Sequence, residues 1–180
     1  NCILVTPGQS YRQPGKYHYE LSPEAPEEFD RLLEELHYQS NGQAIGIVYL
    51  WGILAPPVNE RMHQPTHLSQ DLISIGALHL IQAIATAKQE RSLRLWLITN
   101  GVHAIEERDQ TTGLLQAPLW GLGRVIVYEH QNLNCTLIDL DANLEKGCSG
   151  TLFKEIWADE EADEVALRSD RRYVARLAHY

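Results

Sequence analysis

A chain of 180 residues is long enough for one domain with a sizeable core. With 44% apolar and 22% charged residues its composition is that of an ordinary globular protein, and its formal charge of −9 argues against partners that Lys and Arg must hold, namely nucleic acid and anionic membranes. No apolar run has the length of a membrane span, and the opening Asn1-Cys2-Ile3-Leu4-Val5-Thr6-Pro7-Gly8 lacks the basic start of a signal peptide.

Cys2–Thr6 reads as a short buried strand stopped by the turn signal Pro7-Gly8, so the chain reads as beginning inside a larger unit. Tyr17–Leu21 alternates well enough for an edge strand. Ser22-Pro23 and Pro26 with Glu27 and Glu28 announce a helix, whose apolar stripe is Phe29, Leu32, Leu33 and Leu36 and whose His37 suits the C-terminal dipole. Ala44–Trp51 is a continuous apolar run, the pattern of a strand covered on both faces in a parallel sheet. Gly52–Thr66, with Pro56, Pro57 and Pro65, reads as a loop. Leu68–Lys88 reads as a heavily buried helix with Leu72, Ile75, Leu80, Ala83, Ile84 and Ala87 inward. Leu93–Thr99 is the next strand, stopped by Asn100-Gly101, and Glu106–Gly113 is loop-like. A helix over Leu119–His130, a strand over Cys135–Leu140 and a short helix over Thr151–Ala158 follow. Glu164–Arg168 and Arg171–Leu177 alternate around Ser169-Asp170 and predict a hairpin. This rhythm of strands and helices predicts an α/β fold: a truncated Rossmann-like open parallel sheet, helices on both faces, closed by the C-terminal β-hairpin. A single domain over residues 1–180 is expected.

Candidate chemistry is sparse. A dinucleotide site needs a glycine-rich turn that leads from a strand into a helix N-terminus. Gly121-Leu122-Gly123 lacks the third glycine and follows no strand, so close packing of a helix explains it better. Tyr128 and Asn132 have Tyr-x-x-x-Asn spacing, but at a helix end, where a half-buried Tyr and a capping Asn are the simpler reading. His63 and His67 are i,i+4, yet Pro65 between them forbids the regular helix a metal pair would need. Asp139 and Asp141 lie at a strand's C-terminal end and are expected to cap the next turn rather than bind Mg²⁺. Cys2, Cys135 and Cys148, an odd and sparse set, read as reduced thiols of a cytoplasmic protein. No catalytic, cofactor-binding or metal-binding residue is expected in this chain.

Five segments resemble one family in its own order. Val48-Tyr49-Leu50-Trp51-Gly52 is similar to the "hLWgl" strand of the N-terminal structural subdomain of polyketide synthase ketoreductases, and Leu95-Trp96-Leu97-Ile98-Thr99-Asn100-Gly101 to the following "lWlvTrga". The most specific match is Gln116-Ala117-Pro118-Leu119-Trp120-Gly121-Leu122-Gly123-Arg124-Val125, nearly the family's "QaplwGlgRv" helix. Leu137-Ile138-Asp139-Leu140-Asp141 resembles "liDLD", and Glu164–Arg168 with Arg172–Leu177 resembles the closing hairpin.

The resemblance implies a degenerate short-chain dehydrogenase/reductase fold. An active reductase of this class has a Ser where this chain has Thr99-Asn100-Gly101, and Gln-Ala-Asn-Tyr-x-x-x-Asn on its catalytic helix. Counted from Gln116, the Tyr position is Leu119 and the Asn position is Gly123. It further implies a packing helix carrying Gln116, Pro118, Leu119, Trp120, Gly121, Gly123 and Arg124. The hairpin residues Val165, Leu167, Tyr173, Val174, Ala175 and Leu177 are implied as a subdomain interface. The implied function is a scaffold for an adjacent catalytic subdomain of the same polypeptide, which would use NADPH to reduce a carrier-bound β-keto group. Neighbouring synthase domains and an acyl carrier protein would be its other partners, without nucleic acid or membrane. The alternatives are a truncated pseudo-ketoreductase, architectural beside a methyltransferase or dehydratase, and a free-standing nucleotide-binding enzyme. The family normally places one more strand and helix before the Cys2–Gly8 segment. That strand is expected to lie between Cys2–Val5 and Ala44–Trp51.

Overall fold

Two sheets carry the chain in a computed structural model, which describes residues 2–40, 43–54, 71–87, 93–107, 109–130, 133–143, 148–158, 162–169 and 171–178. The larger sheet holds β4 (Ile45–Tyr49), β5 (Leu93–Asn100), β6 (Leu133–Leu140), β7 (Glu164–Arg168) and β8 (Arg171–Val174) in that order. β4 to β7 run parallel, and β8 returns antiparallel to β7 as the expected hairpin. The smaller sheet places β3 (His18–Leu21) between β1 (Leu4–Pro7) and β2 (Arg12–Gly15).

The helices are α1 (Pro26–Ser40), α2 (Gly76–Thr86), α3 (Ala117–Glu129) and α4 (Cys148–Trp157). Period-two alternation in β5 and β6 divides their side chains between two layers. Leu93, Leu95, Leu97, Leu133, Cys135 and Leu137 join the cluster formed with α1, α2 and α3, whereas Trp96, Ile98, Ile138 and Leu140 join Val165 and Leu167 against Leu152 and Ile156 of α4. Burial on both faces is why these strands are continuously apolar in sequence. The result is the expected Rossmann-like α/β arrangement.

Several local expectations are corrected. Tyr17–Leu21 was expected at an edge, but β3 is the middle strand of its sheet. The edges are β1, read as a buried strand but with no buried residue, and β2, whose Arg12-Gln13-Pro14-Gly15 has no apolar pattern to reveal it and whose Pro is tolerated at an edge. β4 was expected to be covered on both faces, yet of its five residues Tyr49 alone is buried. Its outer side has no strand partner among the described residues, and β1 and β4 are not paired with each other. Instead the Trp51 indole N–H donates to the Val5 carbonyl at 3.1 Å, and the Phe29 ring meets Trp51 edge-on, tying the small sheet to the main body.

Helix α2 is preceded by a π-type turn over Asp71–Ile75, so the helical reading of 68–88 holds there in a different form. Leu80 and Ala83 are buried as expected, but Ile75 is exposed. It lies five residues before Leu80, about 140° around the helix from it. The side chain of Leu72 lies outside what is described, as do residues 68–70 and Lys88. The loop expected over Gly52–Thr66 begins as a 3₁₀ turn, Trp51–Leu54, and continues outside the described residues.

Candidate functional site

In α/β folds ligands gather where loops leave the C-terminal ends of the strands. Here those ends are Asn100, Leu140 and Arg168, and the loop after β5 folds back over them. Gly101 starts it in the left-handed region (φ 62°), and its N–H donates to the Leu140 carbonyl at 2.9 Å. Gly113 closes it, its N–H donating to the Gly101 carbonyl at 2.9 Å. A Cβ at Gly113 would collide with the Asn100 carbonyl.

Arg168 is the centre of the arrangement. It ends an apolar strand and is 2% exposed. Its Nη2 donates to Asp139 Oδ2 at 2.7 Å and to the His103 carbonyl at 2.7 Å, its Nε to Asp109 Oδ2 at 2.8 Å, and its Nη1 to the Asp139 carbonyl at 2.8 Å. Asp139 also accepts the backbone N–H groups of Val102 and His103, both at 3.1 Å, and the Thr99 hydroxyl at 2.8 Å. Burial alone would raise the Asp109 carboxyl. Its hydrogen bonds from Arg168 and from the Ile105 and Glu106 amides outweigh that and hold it below the usual range. Burial would likewise lower Arg168, but its two carboxylates raise it. One guanidinium thus fastens β6, β7 and the covering loop together. A polar cavity of about 210 Å³ remains beside it, lined among others by His103, Asp109, Asp141, Asn143 and Ser169. That is below the range of about 300–1,000 Å³ usual for drug-sized ligands.

The motif helix supplies the second half of the site. The Gln116 carboxamide accepts the Asn100 N–H at 3.1 Å and donates to Asn100 Oδ1 at 2.9 Å. Trp120 Nε1 donates to the Thr99 hydroxyl at 3.0 Å. Leu119 is fully buried, and its Cδ1 lies where a Cβ on Gly52 would have to go. Gly123 sits directly on the Leu137 side chain, as expected of a packing glycine. Gly121 does not: nothing lies within 4 Å of where its Cβ would stand. Helix α3 is therefore amphipathic. Leu119, Trp120, Gly123 and Ile126 face in, while Pro118, Gly121, Arg124, Val125 and Tyr128 face out.

In the hairpin, Val165 and Leu167 are buried in the sheet's own core, Tyr173 and Val174 are half-buried, and Ala175 and Leu177 are exposed. The Tyr173 hydroxyl donates to Glu106 Oε1 at 2.6 Å, so the hairpin also braces the covering loop.

Asp141 accepts the Asn143 N–H at 3.3 Å, the turn cap expected of it. Asp139 does something else, since its partner is Arg168. Strand character made Asp139 and Arg168 legible as charges within apolar runs, but 29 residues apart nothing in the sequence pairs them. Cys135 is buried and Cys2 exposed; both are free thiols, as is Cys148. His63, His67 and Asn132 lie outside the described residues. Among those described, no three His, Cys, Asp or Glu side chains are placed to hold a metal, and no helix is long and apolar enough to cross a membrane.

Among the described residues, the turn after β1, Pro7-Gly8, leads into strand β2 rather than into the helix N-terminus on which a dinucleotide's pyrophosphate rests. Gly121 and Gly123 lie inside a helix rather than ahead of one.

A parallel-dominated sheet of this order, layered between helices, defines a Rossmann-like α/β domain. The family model for the Rossmann fold domain of the polyketide synthase extender module SpnB matches residues 22–177. The chain therefore belongs to the family of Rossmann-fold domains of polyketide synthase modules. It is 34% identical over 128 residues to a phenolphthiocerol/phthiocerol polyketide synthase of Mycobacterium tuberculosis, a match covering 69% of this chain and 6% of that protein. Among solved structures it resembles an A1-type ketoreductase (26% identity, TM-score 0.71, 93% of this chain and 33% of that one). It has the fold of a C2-type ketoreductase from a modular polyketide synthase (24% identity, TM-score 0.69, 87% of this chain and 33% of that one). The chain thus spans a small fraction of the synthase it matches and about a third of each ketoreductase.

Proposed function

We propose that this chain is the structural, non-catalytic half of a polyketide synthase ketoreductase region. Its work is to hold and orient an NADPH-dependent catalytic half of the same polypeptide, which reduces a β-keto group carried on an acyl carrier protein. The observation that carries the reading is what stands at the reductase positions. Leu119, at the proton donor's place, is fully buried, and Asn100, beside the serine's place, is locked by Gln116. General acid catalysis needs a titratable group within reach of the substrate oxygen, and an alkyl side chain packed in the core cannot serve.

Titration of the isolated chain with NADPH, followed by cofactor fluorescence, is expected to show no saturable binding. Binding near micromolar would overturn the scaffold reading. The longer polypeptide that contains this chain is expected to reduce a β-ketoacyl thioester with NADPH. A polypeptide that folds but does not reduce it would indicate a purely architectural domain.

A further inference from the structure

The loop from Gly101 to Gly113 has two parts. Its root is built into the body: the Val102 and His103 N–H groups donate to Asp139, the His103 ring stands edge-on to Trp120 with 4.2 Å between centroids, and the Gly113 N–H returns to the Gly101 carbonyl. Its arc, 104–112, is held in another way. Among the described residues no side chain of the arc belongs to either apolar core, and Ala104, Ile105, Gln110 and Thr111 are exposed. The arc bonds to itself instead: Asp109 Oδ2 accepts the Ile105 N–H at 2.9 Å and the Glu106 N–H at 3.2 Å, and the Asp109 N–H donates to the Glu106 carbonyl at 3.0 Å. A loop with joined ends and an interior bonded to itself is a compact unit of the Ω type.

Three side chains of the β7–β8 hairpin fasten this unit down. Arg168 Nε donates to Asp109 Oδ2 at 2.8 Å, the Tyr173 hydroxyl donates to Glu106 Oε1 at 2.6 Å, and Arg171 Nη1 stands 3.7 Å from Glu106 Oε1. The polar cavity lies underneath. His103, Asp109 and Gln110 of the loop form one wall, and Asp141, Asn143 and Ser169, in the turns after β6 and β7, form the other. We propose that 104–112 is a lid over this cavity, latched by the hairpin, which lifts as one piece while both sheets stay folded. Loss of apolar burial is the main cost of opening a folded structure, and the arc contributes no side chain to either core. Nor does lifting strand a charge. Closed, one guanidinium answers two carboxylates; open, Asp109 is carried into water and Arg168 keeps Asp139, at 2.7 Å, as a one-to-one buried pair. The hairpin that aligns Tyr173 with Glu106 therefore sets how often the cavity is open.

Hydrogen exchange of the full chain, followed by mass spectrometry, tests the lid. Amides of 105–112 are expected to exchange at least about a hundredfold faster than those of β5 and β6. Tyr173→Phe removes a hydrogen bond to a charged group and is expected to speed 105–112 about tenfold more, with β5 and β6 unchanged. The second readout is carbethoxylation of His103, whose buried Nε2 has no hydrogen-bond partner among the described residues. It is expected to rise in Tyr173→Phe by the same factor, because lifting the arc opens the cavity wall to which His103 belongs. Exchange of 105–112 at the rate of β5 and β6 would show that the loop opens only when the domain unfolds, and would overturn the proposal. An equal acceleration of all three segments in Tyr173→Phe, or none in any of them, would do the same. Faster exchange without faster carbethoxylation would show an arc that frays in place and covers nothing, and the lid would fall with it.

Discussion

Arg168 shows how much one residue can decide. Its guanidinium is nearly inaccessible and answers two carboxylates, Asp139 and Asp109, which are also nearly or fully buried. Removing it would leave both charges in a medium that solvates them poorly. Breaking such a pair from one side costs about 3–5 kcal/mol, a large part of a domain's stability of about 5–15 kcal/mol. Arg168→Met is therefore expected to lower the urea midpoint strongly, and a shift equivalent to less than 1 kcal/mol would show that water reaches the carboxylates. The two glycines of α3 make a finer test. Gly123→Ala would place a Cβ at 2.5 Å from Cδ2 of the fully buried Leu137 and is expected to cost about 1–3 kcal/mol. Gly121→Ala meets nothing and is expected to raise stability by up to about 1 kcal/mol. Thermal unfolding of the two variants should move in opposite directions.

At the scale of the element, the closing hairpin turns through Ser169, whose φ of 54° is in the left-handed region. A side chain there is strained by about 1–2 kcal/mol, and glycine is not. Ser169→Gly is expected to raise the melting temperature, because part of that strain is relieved at once while glycine's extra chain entropy offsets the rest. An unchanged or lowered midpoint would mean that the Ser169 side chain is anchored to the covering loop. The hairpin matters beyond its own ladder, since β7 brings Arg168 to the strand ends and β8 brings Tyr173 to Glu106. Its outer strand is further fastened to α4 by the bidentate pair of Arg172 with Glu155, at 2.7 and 2.9 Å.

For the molecule as a whole, stability should be bounded on both sides in pH. Asp109 lies below the ordinary carboxylate range, as does Glu164 through its pair with Arg124. The unfolded chain therefore binds more protons at acid pH. The stabilisation from these groups is complete above the unfolded carboxylate range, near pH 4–5, and is lost as pH falls through their lower folded values. Burial pushes the Cys135 thiol up to about 12 and raises the Tyr49 phenol as well. Those neutral groups bind protons more tightly when folded, so their contribution is full below about pH 8.5 and fades as pH rises toward 12. Denaturation midpoints measured from pH 3 to 11 are expected to form a plateau between about 5 and 8. Cys135→Ala should make the alkaline fall shallower, and an identical fall in that variant would assign it to the tyrosines.

What the sequence determined by itself is what depends on neighbours a few residues apart. Continuous apolar runs at 93–99 and 135–140, the i, i+3, i+4 stripe of α1 and the Ser169-Asp170 turn each signal their element locally, because alternation, helical period and turn chemistry act over short spans. The motif from Gln116 to Val125 carried the resemblance to the family, and it puts Leu119 where the resemblance implies the Tyr of an active reductase. The tertiary structure decided which faces met. β2 has no apolar signal and exists because β3 offers it an edge to pair with. Ile75 and Gly121 look buried in sequence and are exposed, and β4, read as a fully covered strand, is mostly half-buried. The Arg168–Asp139–Asp109 network joins residues 29 and 59 positions apart. No local pattern records such a pairing: the energy of a buried ion pair depends on distance and dielectric, and both are set only when β6, β7 and the loop after β5 come together.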